Sequence, residues 1–307
     1  MHNNIEKLLI LQDRDQRILR IREQLARIGP ERYQLSPSSS HTAGVLSMME
    51  AWRQTEFFDM RVAFHDVTGA WATFAVSGPN SRNVLAPLTD IDLGADALPH
   101  MAFADGSILG IAGRLSRVSF TGERSYEVSV PAGYGPALWR ALMQAGAAQG
   151  ITPFGIETLS VLRAEKGYIL IGTDTDGMTL PDDLGMSGPL RAKNVDFVGK
   201  RSLMTPDARR GDRRQFVGLL PLDPNAVPHV GSHAIERNAG GMRSLGWVTS
   251  ACHSPALGRS IALGMIARGR ALIEAGAEVE LFHLGATMRA RVVSPVFHDP
   301  AGEKLHG

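Results

Sequence analysis

The residues best suited to chemistry lie in three short segments. In the first, Ser119-Phe120-Thr121-Gly122-Glu123-Arg124-Ser125-Tyr126-Glu127-Val128, two strand-like runs flank a tight turn. Successive strand side chains point to opposite faces, so Glu127 faces away from Tyr126 and Val128. On an exposed face this carboxylate is an ordinary solvated acid. On an inward face it needs donors, because a buried carboxylate without partners is costly. A ligand with two parallel N–H groups would match its two oxygens. The second segment, Arg163-Ala164-Glu165-Lys166-Gly167-Tyr168, closes a helix that begins near Ile156. Its cations either complement the negative helix end or, for the planar guanidinium of Arg163, grip a carbonyl or carboxylate. The third, Thr173-Asp174-Thr175-Asp176-Gly177, is a polar turn. It has too few oxygen ligands for calcium and suits local side-chain capping.

Familiar catalytic patterns are missing. There is no phosphate-binding loop and no G-x-G-x-x-G after a strand. There is no G-x-S-x-G elbow. One cysteine and scattered histidines do not make a zinc site. The sequence therefore names no metal ligand, catalytic acid, base or nucleophile.

The elements that would carry these segments are mixed. Residues 42–54 read as a helix, Met60–Val67 and Trp71–Ser77 as strands, and Ser81–Leu88 as a helix. Ser107–Ala112, Gly113–Phe120 and Tyr126–Val130 read as strands, followed by helices at 133–149 and Ile156–Glu165. Strict βαβ alternation is absent, which predicts an α+β class. The composition shifts near 205–214, where Pro206, Gly211 and Arg209, Arg210, Arg213 and Arg214 mark a solvated linker. Beyond it, short strands at Gln215–Leu220, Ser244–Ser250, Ser260–Ile266, Glu278–Phe282 and Thr287–Val293 predict a small antiparallel β-barrel. Three parts are expected: 1–32, 33–205 and 214–307.

The first part has a different character. Leu11, Ile18, Ile21, Leu25 and Ile28 recur at helical spacing among charged residues, which predicts an amphipathic helix ended by Gly29-Pro30. Such a helix must bury its seam against something. The 307 residues are 44% hydrophobic and 21% charged, with a formal net charge of +1, values that fit a globular protein and give no nucleic-acid footprint. No apolar run approaches a membrane span, and no secretory leader is visible. With a single cysteine, the expected compartment is the cytoplasm.

Phe120-Thr121-Gly122-Glu123 followed by Tyr126-Glu127-Val128 resembles a stretch of the glycine-cleavage aminomethyltransferase family. Leu162-Arg163-Ala164-Glu165-Lys166-Gly167-Tyr168 resembles a second. The Lys-Gly-Tyr ending, Ile171–Gly177, Asp196–Leu203, Ser254–Ala262 and Ser294–Pro300 are similar to the α subunits of heterotetrameric sarcosine oxidases. The resemblance runs from about Tyr33 to Gly307. It implies aminomethyltransferase-like lobes followed by the barrel, with tetrahydrofolate held centrally. It implies that Glu127 binds the pterin edge, that Arg163 contacts the folate, and that Phe120, Tyr126 and Tyr168 lie around it. His253, where relatives carry an aromatic, would alter packing beside the folate.

The implied role is capture of the one-carbon unit from sarcosine demethylation as 5,10-methylenetetrahydrofolate. The implied partners are the β, γ and δ subunits or the rest of an α subunit. Flavins and NAD would belong to those subunits or to upstream regions. The family domain begins upstream of Tyr33, so the first lobe is expected to be incomplete. Two alternatives stay open: a stand-alone aminomethyltransferase, and a folate-binding or subunit-packing module without catalysis.

Overall fold

The computed structural model describes residues 26–306 apart from 38–40, 192, 195, 196 and 198. They form two compact units. The sheet unit comprises His65–Tyr168 and His298–Gly307, and the barrel unit takes the chain up to Phe64 together with Ile169–Phe297. The chain thus enters and leaves the sheet unit by packing, where composition predicts three consecutive parts.

The sheet unit is built on four antiparallel strands in the order β3-β6-β5-β4: Trp71–Ser77 (β3), Phe103–Ile108 (β4), Ile111–Ser116 (β5) and Ser125–Pro131 (β6). One face is apolar. Val76, Leu115, Tyr126, Val128 and Val130 are buried there against Val84 and Leu85 of α2 (Ser81–Leu85) and Leu138 and Leu142 of α3 (Gly135–Gly146). The period-two pattern of Ser-Tyr-Glu-Val-Ser-Val in β6 produces this sidedness. The last helix before the crossing is α4 (Ile156–Glu165).

Two of the sequence expectations for residues 60–120 need correction. Residues 60–67 form no regular strand and are largely exposed. Their alternation of apolar and polar residues meets no neighbouring strand to pair with. The strands expected at Ser107–Ala112 and Gly113–Phe120 are displaced, because Leu109-Gly110 is the hairpin turn, with φ of 55° and 76°. Positive φ at both central residues is the type I′ geometry that matches strand twist. A leucine there gives no turn signal in sequence.

The barrel unit contains a closed antiparallel barrel in the order β10-β7-β12-β11-β8-β9. Its strands are Arg214–Pro221 (β7), His233–Asn238 (β8), Gly241–Ser254 (β9), Arg259–Ala267 (β10), Glu278–His283 (β11) and Ala286–Val293 (β12). Five of these were expected. β8 was missed because His-Ala-Ile-Glu-Arg-Asn is mostly exposed and polar. Gly246 in β9 has φ of +147°, and a Cβ there would lie 1.9 Å from the Met265 carbonyl oxygen. Only glycine allows this close approach of two strands.

The same unit holds α1 (Thr42–Thr55), as expected, and a hairpin of Ala26–Gly29 (β1) with Arg32–Gln34 (β2). The amphipathic helix expected over the first part lies outside the described residues up to 25. Its expected last turn does not form, since residues 26–29 pair with β2 around Pro30. No described helix is long and apolar enough to cross a membrane.

Candidate functional site

Glu127 stands mid-strand in β6, a central strand of the sheet. Its cross-strand neighbours are Ala75 of β3 and Ser116 of β5, both small. They leave room above the carboxylate. Ser125 and Ser129 flank it on the same face and are occupied sideways, with hydroxyl contacts to Ser77 at 2.7 Å and to Thr73 at 2.9 Å. Glu127 is half-buried, and its carboxylate makes no hydrogen bond or ion pair among the described residues. Burial alone raises its pKa above the usual carboxylate value. A rigid strand thus presents two acceptor oxygens with no internal donor, which is the setting for a ligand with paired N–H groups.

Tyr126 faces the other way. It is fully buried in the core, with Arg82 Nε donating to its phenol oxygen at 3.4 Å. The sheet separates Tyr126 from Glu127, so the two cannot line one face as site partners; the alternation of β6 dictates this.

Arg163, Phe120 and Tyr168 are brought together. Gly167, with φ of 70°, closes α4. The Gly167 N–H donates to Ala164 O at 3.1 Å and the Tyr168 N–H to Arg163 O at 2.9 Å, the paired bonds of a Schellman cap. The cap folds Tyr168 back over the helix end. There Arg163, 3% exposed, donates from Nη1 to the Tyr168 carbonyl at 3.2 Å. The Tyr168 ring stacks on Phe120 with centroids 6.1 Å apart and planes 20° from parallel. Lys166 is engaged elsewhere: its Nζ donates to the Asp299 carboxylate at 2.8 Å, and both side chains are nearly buried. His253 belongs to the barrel unit, exposed on β9 and opposite Ser260 in register.

The polar turn behaves as capping geometry. Asp174, 1% exposed, accepts from the Leu170 N–H at 2.7 Å and from the Thr249 hydroxyl. Asp176 caps the Met178 N–H at 2.9 Å. Beside this turn the barrel unit has a cleft of about 570 Å³, with Arg210, Arg213, Arg214 and Trp247 in its walls. Arg209, Arg210 and Arg214 are exposed, as expected of a solvated linker, and Arg213 alone of the four is partly buried. Arg213 is held by Asp183 at 2.7 Å and by Asp207, and Arg214 lies 4.5 Å over the Trp247 ring.

A helix-backed sheet unit together with a closed six-stranded barrel unit defines an aminomethyltransferase-like fold. The crystal structure of the glycine cleavage system aminomethyltransferase T from Bartonella henselae superimposes with a TM-score of 0.73 at 23% identity, over 90% of this chain and 71% of that one. Residues 24–193 match the GCVT N-terminal domain, and residues 214–299 match the glycine cleavage T-protein C-terminal barrel domain. The chain belongs to this family. It is 40% identical to the sarcosine oxidase subunit alpha of Corynebacterium sp. strain P-1 over 92% of its own length and 29% of that subunit's. The corresponding subunit of Rhizobium meliloti is 38% identical over the same shares. The chain thus spans about three tenths of these relatives. The aminomethyltransferase of Moorella thermoacetica is 32% identical over 83% of this chain and 67% of that protein.

Proposed function

We propose that the chain is the tetrahydrofolate-binding part of a sarcosine oxidase α subunit, taking the one-carbon unit released by sarcosine demethylation to form 5,10-methylenetetrahydrofolate. The observation that carries this reading is Glu127, a half-buried carboxylate with no donor among the described residues, on the polar face of a sheet. The residues present fit the cofactor. Glu127 would accept from the paired N–H groups of the pterin. Phe120 and Tyr168 offer an aromatic face, and Arg163, which holds the Tyr168 carbonyl, would contact the folate. When bound, tetrahydrofolate supplies nitrogen nucleophiles for the one-carbon unit. The protein's part is to hold and orient it, the entropic share of catalysis. The lone cysteine supports a cytoplasmic setting, and the β, γ and δ subunits or further α-subunit sequence are the proposed partners, with flavin and NAD held there.

A second reading, a stand-alone aminomethyltransferase, draws on the similarity to the Moorella thermoacetica protein. Anaerobic calorimetric titration of tetrahydrofolate tests the cofactor assignment shared by both. No binding heat with the wild-type chain would refute it. Native mass measurement of the complex purified from source cells tests the oxidase reading. Co-purifying flavin-bearing subunits support it, and a free chain favours the second reading.

A further inference from the structure

Three arginines of the sheet unit carry charge that no described acid answers. Arg82 lies in α2, Arg117 just beyond β5, and Arg124 in the turn before β6. None of them makes an ion pair among the described residues. Their acceptors are neutral. Arg117 donates to Leu98 O at 2.9 Å, Leu305 O at 3.0 Å and His306 O at 2.8 Å. Arg124 donates to Pro79 O at 3.1 Å, and Arg82 to the Tyr126 phenol at 3.4 Å. Each keeps one buried N–H group without an acceptor: Arg82 Nη2, Arg117 Nε and Arg124 Nε.

The three charges act on one another. Arg117, only 1% exposed, has its pKa pushed down by burial, with the Tyr126 phenol opposing and the charges of Arg82 and Arg124 adding to the fall. Clustered like charges with unused donors are costly to bury unless a counter-charge joins them. Guanidinium forks match phosphate and carboxylate oxygens best.

We propose that Arg82, Arg117 and Arg124 form a binding site for an oxyanion, a phosphate or carboxylate group, reached from the Arg124 turn. Arg82 and Arg124 are partly exposed and admit the anion, while Arg117 is buried. Arg82 holds the phenol of Tyr126, whose side chain lies on the opposite side of β6 from Glu127. The site therefore does not depend on the folate reading.

The test uses the full chain at constant ionic strength, with inorganic phosphate or glutamate exchanged for chloride. Thermal unfolding and calorimetry are read for wild type, Arg82→Gln, Arg124→Gln and the exposed control Arg140→Gln. We expect a saturable rise in Tm and a binding isotherm in wild type and the control. The apparent Kd should rise tenfold or more in both site variants. A response to phosphate alone assigns a phosphate group, and a response to glutamate alone a carboxylate. Absence of a response in wild type, or an equal response in all four proteins, overturns the proposal. Should one site variant fail to fold, the other site variant against wild type and the control still decides it.

Discussion

Replacing Glu127 by glutamine should separate ligand binding from stability. The wild-type carboxylate has no partner among the described residues, so both oxygens are available to two N–H donors of a pterin. Glutamine keeps one acceptor oxygen and turns an NH2 group toward the second donor. One charge-assisted bond is lost and a donor faces a donor. A hydrogen bond to a charged group contributes about 1.5–3 kcal/mol, and about 1.4 kcal/mol is tenfold in affinity. The Kd for tetrahydrofolate should therefore rise about 10- to 150-fold by anaerobic calorimetry.

The fold should not suffer. Burial raises the Glu127 pKa in the native state, so the ionised side chain opposes folding above the ordinary carboxylate value. Removing it should leave Tm unchanged near pH 4 and hold or raise it at pH 8. Binding should also lose a proton linkage. Wild-type affinity should weaken as pH falls through the raised pKa, and the glutamine variant should show no such slope. Equal Kd values for the two proteins at pH 8 would refute the assignment. A large fall in Tm would instead make Glu127 a structural residue.

Three further substitutions test the fold of each unit. Gly246→Ala places a Cβ against the Met265 carbonyl oxygen at a strained φ, so urea unfolding should show a loss of about 3–5 kcal/mol. Thr249→Val removes a hydroxyl donor from buried Asp174 at almost constant volume, and the same measurement should show a loss of about 1–3 kcal/mol. The Lys166 ammonium holds Asp299 below its ordinary pKa, so this pair stabilises the fold above about pH 4 and fades as pH falls through the lowered value. The wild-type advantage in Tm over Asp299→Asn should therefore be full at pH 6 and shrink steadily towards pH 3.

The sequence by itself determined local periodicities and the chemistry that rests on them. Alternation in Ser-Tyr-Glu-Val-Ser-Val put Glu127 and Tyr126 on opposite faces before any fold was known. The glycine after Arg163-Ala164-Glu165-Lys166 announced a helix end, and the regular strands beyond residue 214 announced a barrel. These are effects of neighbouring residues, so they are written in order along the chain. The tertiary structure decided what depends on partners distant in sequence. It decided which face of β6 meets helices, and hence that Tyr126 is core and Glu127 is not. It left residues 60–67 without a strand to pair with and recruited the polar β8 to close the barrel. It also set Arg82 against the Tyr126 phenol. Burial and pairing are sums over the folded surroundings, and no window of sequence contains those surroundings.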